Sequence, residues 1–222
     1  MISIRIEDKI REKCPNLRIA SIECVVENTP FSSELWNQIN SFSEEFKRQY
    51  KLEDVNRRPA IKATREAYKS LGKDPNRYRP SAEALCRRIL RDLPLYQINT
   101  LVDLINLVSL QSGYSIGGFD ADLIQGNLCL GTGEKEEEFH AIGRGLLNIE
   151  NLPIYRDETG GIGTPTSDEE RTKISLDTRR LFMIINAYFG ETGLQDTVEF
   201  AKTLLTDYAL IDKNDDFQIN LY

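Results

Sequence analysis

Apolar positions recur with two different periods along this chain. In LRIASIECVVEN (17–28) apolar and β-branched residues run with little interruption, the pattern of a buried strand. From Ser33 the period lengthens: Leu35, Ile39, Phe42, Phe46 and Tyr50 fall on one stripe, which predicts a helix over 33–50. After Pro59, at a first-turn position, Ile61, Thr64, Tyr68 and Leu71 follow one helical face while Lys62, Arg65 and Lys69 follow another. Gly72, Pro75 and Pro80 mark 71–81 as a loop. SAEALCRRILRDL then starts a helix with Ser81 as N-cap and Glu83 in the first turn. Its apolar face is Ala82, Leu85, Cys86, Ile89 and Leu90, with Arg87, Arg88 and Arg91 opposite. The stretch 113–187 is rich in strands punctuated by glycines, and LFMIINAY (181–188) is its clearest buried strand. A last helix carries Leu194, Val198, Ala201, Leu205 and Tyr208 on one face, and DKNDDFQINLY (212–222) ends the chain as a short strand or a loose tail.

No internal repeat or low-complexity linker interrupts this order. It predicts an α+β fold in layers, helices mostly early and a mixed sheet mostly late. Residues 1–56 read as a strand and helix extension packed on the core, and 57–222 as the main domain, together one compact unit.

The segment INTLVDLINLVSLQSG (98–113) departs from amphipathic patterning. Leu101, Val102, Leu104, Ile105, Leu107, Val108 and Leu110 make it apolar nearly all round, so it belongs in the interior. Yet Asn99, Asp103, Asn106 and Ser109 stack along a single line. Buried polar groups need partners, and a buried lone carboxylate costs several kcal/mol or changes its proton affinity. The row therefore reads either as hydrogen bonds pinning helix to sheet or as the wall of a pocket. Gly117 and Gly118 in GGFD (117–120) read as a turn of close backbone approach, to the helix or to a ligand. Gly160, Gly161 and Gly163 lie in a turn after a strand, but no helix start follows, which weakens a phosphate-loop reading.

Composition narrows the classes. The 222 residues are 40% hydrophobic and 28% charged, enough to bury a full-sized core and too apolar for a disordered chain. No apolar run reaches the roughly 18 residues of a membrane span, and charges interrupt the N-terminus too early for a signal peptide, so a soluble cytoplasmic protein is expected. Cys14, Cys24, Cys86 and Cys129 form no CxxC pair, and with His140 the only histidine the spacing suggests buried thiols rather than a metal site; no cofactor is implied. His140 is the one residue through which a histidine-dependent nucleophile could work, although a lone histidine is more often a packing or surface residue. The net charge is −7, yet eleven basic and three acidic residues between Arg57 and Arg91 give that segment +8 and leave −15 for the rest. A local basic segment can attract a polyanion despite the overall sign. Arg79, Arg87, Arg88, Lys62, Arg65 and Lys69 are the candidate phosphate contacts, against the plainer reading of two solvated helix faces.

EAYKSLGKDPNRYRPSAEALCRRIL (66–90), INTLVDLINLVSL (98–110), GFDADLIQGNLCLGTGEKEEEF (118–139) and LPIYRD (152–157) together resemble the B3/B4 domain of the bacterial phenylalanyl-tRNA synthetase beta subunit, and more closely its free-standing relatives. The resemblance spans roughly 57–210. It implies a layered α+β domain that binds tRNA or its aminoacyl end and hydrolyses mischarged aminoacyl-tRNA in trans. Two departures stand out. The HAFD-like turn of the synthetase pattern is Gly117-Gly118-Phe119-Asp120 here, without the histidine, and Arg144 aligns with the acidic residue thought to read a tyrosine hydroxyl, so tyrosine selectivity does not carry over.

On this reading Asp103, Asn106 and Asp120 surround one catalytic cavity. Asn99, Ser109, Gly117, Gly118, Asp157, Gly161 and Thr164 are expected to hold the substrate, the Gly160–Thr164 turn to supply N–H donors, and Asp120 or Asp157 to hold the amine. An aminoacyl ester needs only a positioned water and donors for the oxyanion. The alternatives are a non-catalytic RNA-binding module and a pocket for a small amino-acid-like ligand. The oligomeric state is left open.

Overall fold

The first strand, β1 (Ile4–Ile6), buries alternate residues and leads into a one-and-a-half-turn helix, α1 (Asp8–Lys13). This computed structural model describes residues 2–210 and 217–222. Next come β2 (Arg18–Val25), α2 (Ser33–Gln49), α3 (Pro59–Leu71), α4 (Ser81–Ile89) and α5 (Thr100–Ser112). The C-terminal half supplies β3 (Ser115–Asp120), β4 (Leu128–Thr132), a small hairpin of β5 (His140–Ala141) and β6 (Gly145–Leu146), then β7 (Pro153–Arg156), β8 (Gly161–Gly163) and β9 (Arg180–Ala187). Helix α6 (Leu194–Tyr208) and edge strand β10 (Gln218–Leu221) follow. The fold is α+β, as expected.

Two four-stranded sheets form, in the orders β10-β2-β9-β3 and β1-β4-β7-β8. All their pairings are antiparallel except β1 with β4. The layers follow from β9. Leu181, Met183, Ile185 and Ala187 pack toward the core shared with α2, α5 and α6, while Phe182 and Ile184 point into the core against the second sheet. A strand covered on both faces has no polar alternation to show, which is why 181–188 reads as an unbroken apolar run. A further core joins Phe46, Ile61, Cys86, Ile89 and Leu110 where α2 to α5 meet.

Strand β2 lies inside its sheet, bonded to β9 on one side and β10 on the other, and β1 extends the second sheet through β4. Helix α3 begins with Pro59 at its first turn and stops at Gly72, which takes the left-handed conformation that glycine accepts without strain. Ser81 does not cap α4: it is the first helical residue, after Pro80, and no side chain caps that end. GGFD is a strand rather than a turn, forming the last four residues of β3. Of the C-terminal segment, 218–221 is the strand β10, and 211–216 lie outside the described residues.

Candidate functional site

Asparagine at the entrance of α5 makes an ordinary cap. The Asn99 side chain accepts a hydrogen bond from the Val102 amide at 3.0 Å, serving one of the donors a helix leaves unpaired at its first turn. Asp103, expected at the reacting centre, is 1% exposed and accepts from the Trp36 indole N–H at 2.7 Å and the Ile98 amide at 3.1 Å. It fastens α2 and the start of α5 together, and burial pushes its carboxyl above the usual carboxylate range although both bonds oppose that. Ser109 donates to the Tyr114 carbonyl at 2.7 Å. Three of the four residues in the polar row are thus internal ties. The fourth, Asn106, is half-buried, has no hydrogen-bond partner among the described residues, and lines a pocket.

That pocket has a volume of ≈ 140 Å³. Asn106, Ser109, Val102 and Ile105 of α5 form one wall, Ser81 and Leu85 of α4 another, and Gly118, Ile174 and Asp168 the floor. Glycine at 118 is a packing necessity, since a Cβ there would stand 2.5 Å from Ile105 Cδ1 and 2.9 Å from Ile174 Cδ1. Asp168 was not singled out from the sequence. Its carboxyl is enclosed against β3 and accepts one bond, from the Gly118 amide at 3.3 Å, so burial pushes its pKa up to about 7. Room for the carboxyl comes from two more glycines: a Cβ at Gly117 or Gly163 would lie 3.3 or 2.8 Å from Asp168 Oδ1. On its far side Asp168 meets a narrow crevice lined by Gly117, Phe119, Tyr155, Thr164 and Asn186. Asn106, Ser109, Gly117, Gly118 and Thr164 of the expected site residues therefore converge, around an acid that lies in the unpatterned run Ser167 to Arg171.

Other candidates stand elsewhere. Asp120 accepts from the Asp122 amide at 3.0 Å and the Thr178 hydroxyl at 2.8 Å. Asp157 receives both guanidinium arms of Arg171 at 2.9 Å together with the amides of Gln125, Thr159 and Gly160, so it has no oxygen left for a substrate amine. These bonds hold its carboxyl below the usual range against the desolvation of burial. The amides of Gly160 and Thr164 are also taken, by Asp157 and by the Ser167 carbonyl, which removes two of the expected oxyanion donors. Gly161 packs against Ile154 and Phe139. His140 is exposed, its Nε2 2.7 Å from a Glu138 oxygen, and Arg144 is at the exposed tip of the β5–β6 hairpin.

Many cations of the basic segment have internal partners. Glu83 is a 1% exposed side chain facing Arg65 at 2.8 Å, Arg87 at 2.8 Å and Arg79 at 3.4 Å. Arg65 also reaches the Pro75 carbonyl and Asn76, and Arg87 reaches Asn56. Arg58 donates to the Leu110 and Gln111 carbonyls at the end of α5, and Lys73 to the Asn148 and Glu150 carbonyls. Half-buried arginines that satisfy a carboxylate and carbonyls are structural. Lys62 and Lys69 remain exposed on α3, while Arg88 donates to the Pro94 carbonyl and stacks on Tyr96.

Comparison with known proteins bears on this arrangement directly: the profile of the B3/4 domain family matches residues 63–202, which include α4, α5, β3 and Asp168. The chain belongs to the B3/4 domain family. Over 116 residues it is 31% identical to the phenylalanine–tRNA ligase beta subunit of Bartonella henselae, covering 51% of this chain and 14% of that subunit. An N-terminal fragment of the phenylalanyl-tRNA synthetase beta-subunit from Pyrococcus horikoshii, solved by crystallography, aligns with a TM-score of 0.47 at 13% identity, over 97% of this chain and 50% of the fragment. The chain thus spans a small part of the ligase subunit and half of the crystallised fragment. No described helix is long and apolar enough to cross a membrane.

Proposed function

We propose that this B3/4 domain receives the aminoacyl end of a tRNA at the Asn106–Asp168 pocket and hydrolyses misattached aminoacyl esters in trans. The observation that carries the reading is Asp168: a carboxyl with its pKa near 7 and one amide partner, on the floor of an open pocket beside an unpartnered amide side chain. A group that exchanges its proton near neutrality suits general-base work. In the proposed step Asp168 takes a proton from water, the water oxygen attacks the ester carbonyl carbon, and the bond to the ribose oxygen breaks. The ribose hydroxyl leaves with the proton returned by Asp168. Asn106 donates to the carbonyl oxygen as its charge develops. A cavity of about 150 Å³ holds a benzene-sized group, so this pocket suits an amino-acid side chain, with the nucleotide remaining outside.

The test is deacylation of a panel of mischarged aminoacyl-tRNAs by the purified protein. Turnover is expected on at least one member, lowered roughly 100-fold or more by Asp168→Asn and less by Asn106→Ala. A panel as stable with protein as with buffer sinks the hydrolytic reading, and tRNA binding that persists in that case leaves a binding module.

A further inference from the structure

The walls of the Asp168 pocket are more apolar than ester hydrolysis by itself requires. Five aliphatic side chains line it: Ile105, Ile116 and Ile174 are buried, while Leu85 of α4 and Val102 of α5 are half-buried. Its polar groups have other duties. Ser109 gives its hydroxyl hydrogen to the Tyr114 carbonyl, and Asn106 and Asp168 are the two groups the hydrolysis uses. Ser81, at the first turn of α4, is the one further hydroxyl. Among the described residues no lysine, arginine or second carboxylate lines the pocket. An acidic side chain would therefore enter without a counter-charge, and a basic one could pair only with Asp168, the group the water needs.

We propose that this pocket selects branched aliphatic aminoacyl groups, namely valyl, isoleucyl and leucyl, and turns away aromatic and charged ones. Volume sets the upper limit. A benzene ring by itself occupies a cavity of about 150 Å³. Here ≈ 140 Å³ must hold the side chain together with the attacking water, whose own share is about 30 Å³. A branched chain of about four carbons fits what remains, and a phenyl or phenol ring does not. The floor cannot recede, since position 118 is already glycine and the Ile105 and Ile174 side chains close over it. Contact with the walls sets the lower limit: each methylene that a small side chain lacks costs roughly tenfold or more in kcat/KM, which makes alanyl and glycyl esters poor substrates. This selectivity rests on the aminoacyl-ester reading of the pocket and adds to it which acyl groups are used.

Two readouts on the full chain test it. Deacylation of tRNAs carrying valine, isoleucine, leucine, alanine, phenylalanine, tyrosine, glutamate or lysine is expected to give the best branched aliphatic ester a kcat/KM roughly tenfold or more above the alanyl and phenylalanyl esters. Leu85→Ala and Val102→Ala, both at half-buried positions, widen the pocket. Each is expected to raise phenylalanyl turnover relative to leucyl by about tenfold. The second readout needs no turnover: amide spectra titrated with leucinamide, alaninamide, phenylalaninamide and lysinamide. Leucinamide is expected to shift the Gly118 backbone amide and the Asn106 side-chain amide, and the other three to leave them in place. Equal rates on all esters, a preference for an alanyl, aromatic or charged group, or an unchanged preference in both variants overturns the aliphatic selectivity and leaves hydrolysis standing. Shifts given by leucinamide alone, with no ester turned over, sink the hydrolytic reading and keep the selectivity. If no ester is turned over and no amide binds, both fail.

Discussion

Among the described residues the carboxyl of half-buried Asp168 accepts one hydrogen bond where an enclosed carboxylate ordinarily gathers several, and the consequences for pH can be worked out in sign. Its pKa is about 7 in the folded protein against the ordinary 3.8. Between those values the folded chain keeps a proton that the unfolded chain has lost. The stabilisation is therefore full below about pH 4, falls as pH rises toward 7 and is absent above it. Asp168→Asn removes the titration. Its melting temperature is expected to exceed that of the wild type at pH 8, by a few degrees at the order of magnitude, and the advantage to shrink at pH 5. Thermal melts at the two pH values decide this, and equal melts at pH 8 would refute the burial of a charged Asp168. In the same protein the deacylation rate is expected to rise through about pH 7, because the base works only when ionised. Asp103, the more conspicuous acid in the sequence, predicts the opposite kind of variant. Its two bonds tie elements together, so its replacement loosens α2 without touching the pocket floor.

Helices α3 and α4 are joined by one carboxylate. Glu83 neutralises part of three guanidinium groups at a site with almost no solvent, and Glu83→Gln leaves Arg65, Arg79 and Arg87 facing one another. Breaking a buried pair from one side costs about 3–5 kcal/mol, so urea unfolding should show a large drop in midpoint. A change below about 0.5 kcal/mol, the usual scale of a surface substitution, would show that solvent screens the cluster. The elements themselves were legible in the sequence because their apolar periods are local: Ile61 to Leu71 and Leu35 to Phe46 each specify a face without reference to anything distant. Partner choice was not. Arg87 falls opposite the apolar face of its own helix, yet Arg65 arrives from α3 across a glycine- and proline-marked loop to share Glu83 with it. Asp168 was hidden for a similar reason. Nothing in the run from Ser167 to Arg171 separates it from its acidic neighbours, and its burial depends on glycines at 117, 118 and 163 drawn from two other strands.

At the scale of the molecule, the basic segment shrinks as an electrostatic feature once internal partners are assigned. Of its eleven cations, Arg58, Arg65, Lys73, Arg79, Arg87 and Arg88 face protein carbonyls or Glu83, leaving Arg57, Lys62, Lys69, Arg77 and Arg91 toward solvent. If this segment carries tRNA binding, the slope of log affinity against log salt is expected to be no steeper than about −5, compared with about −10 if all eleven were phosphate contacts. Filter binding across a salt series measures it, and a slope near the steeper value would show the internal bonds yielding to RNA.

The strand β3 carries a last implication. With glycine at 117, the space that a side chain would fill belongs to the Phe119 ring, 2.7 Å from the nearest Cβ position, and to the Asp168 carboxylate. Placing a histidine at that position is consequently not a single exchange. The imidazole would have to evict an aromatic ring and an acid together, so Gly117→His is expected to distort β3 rather than simply add a proton carrier.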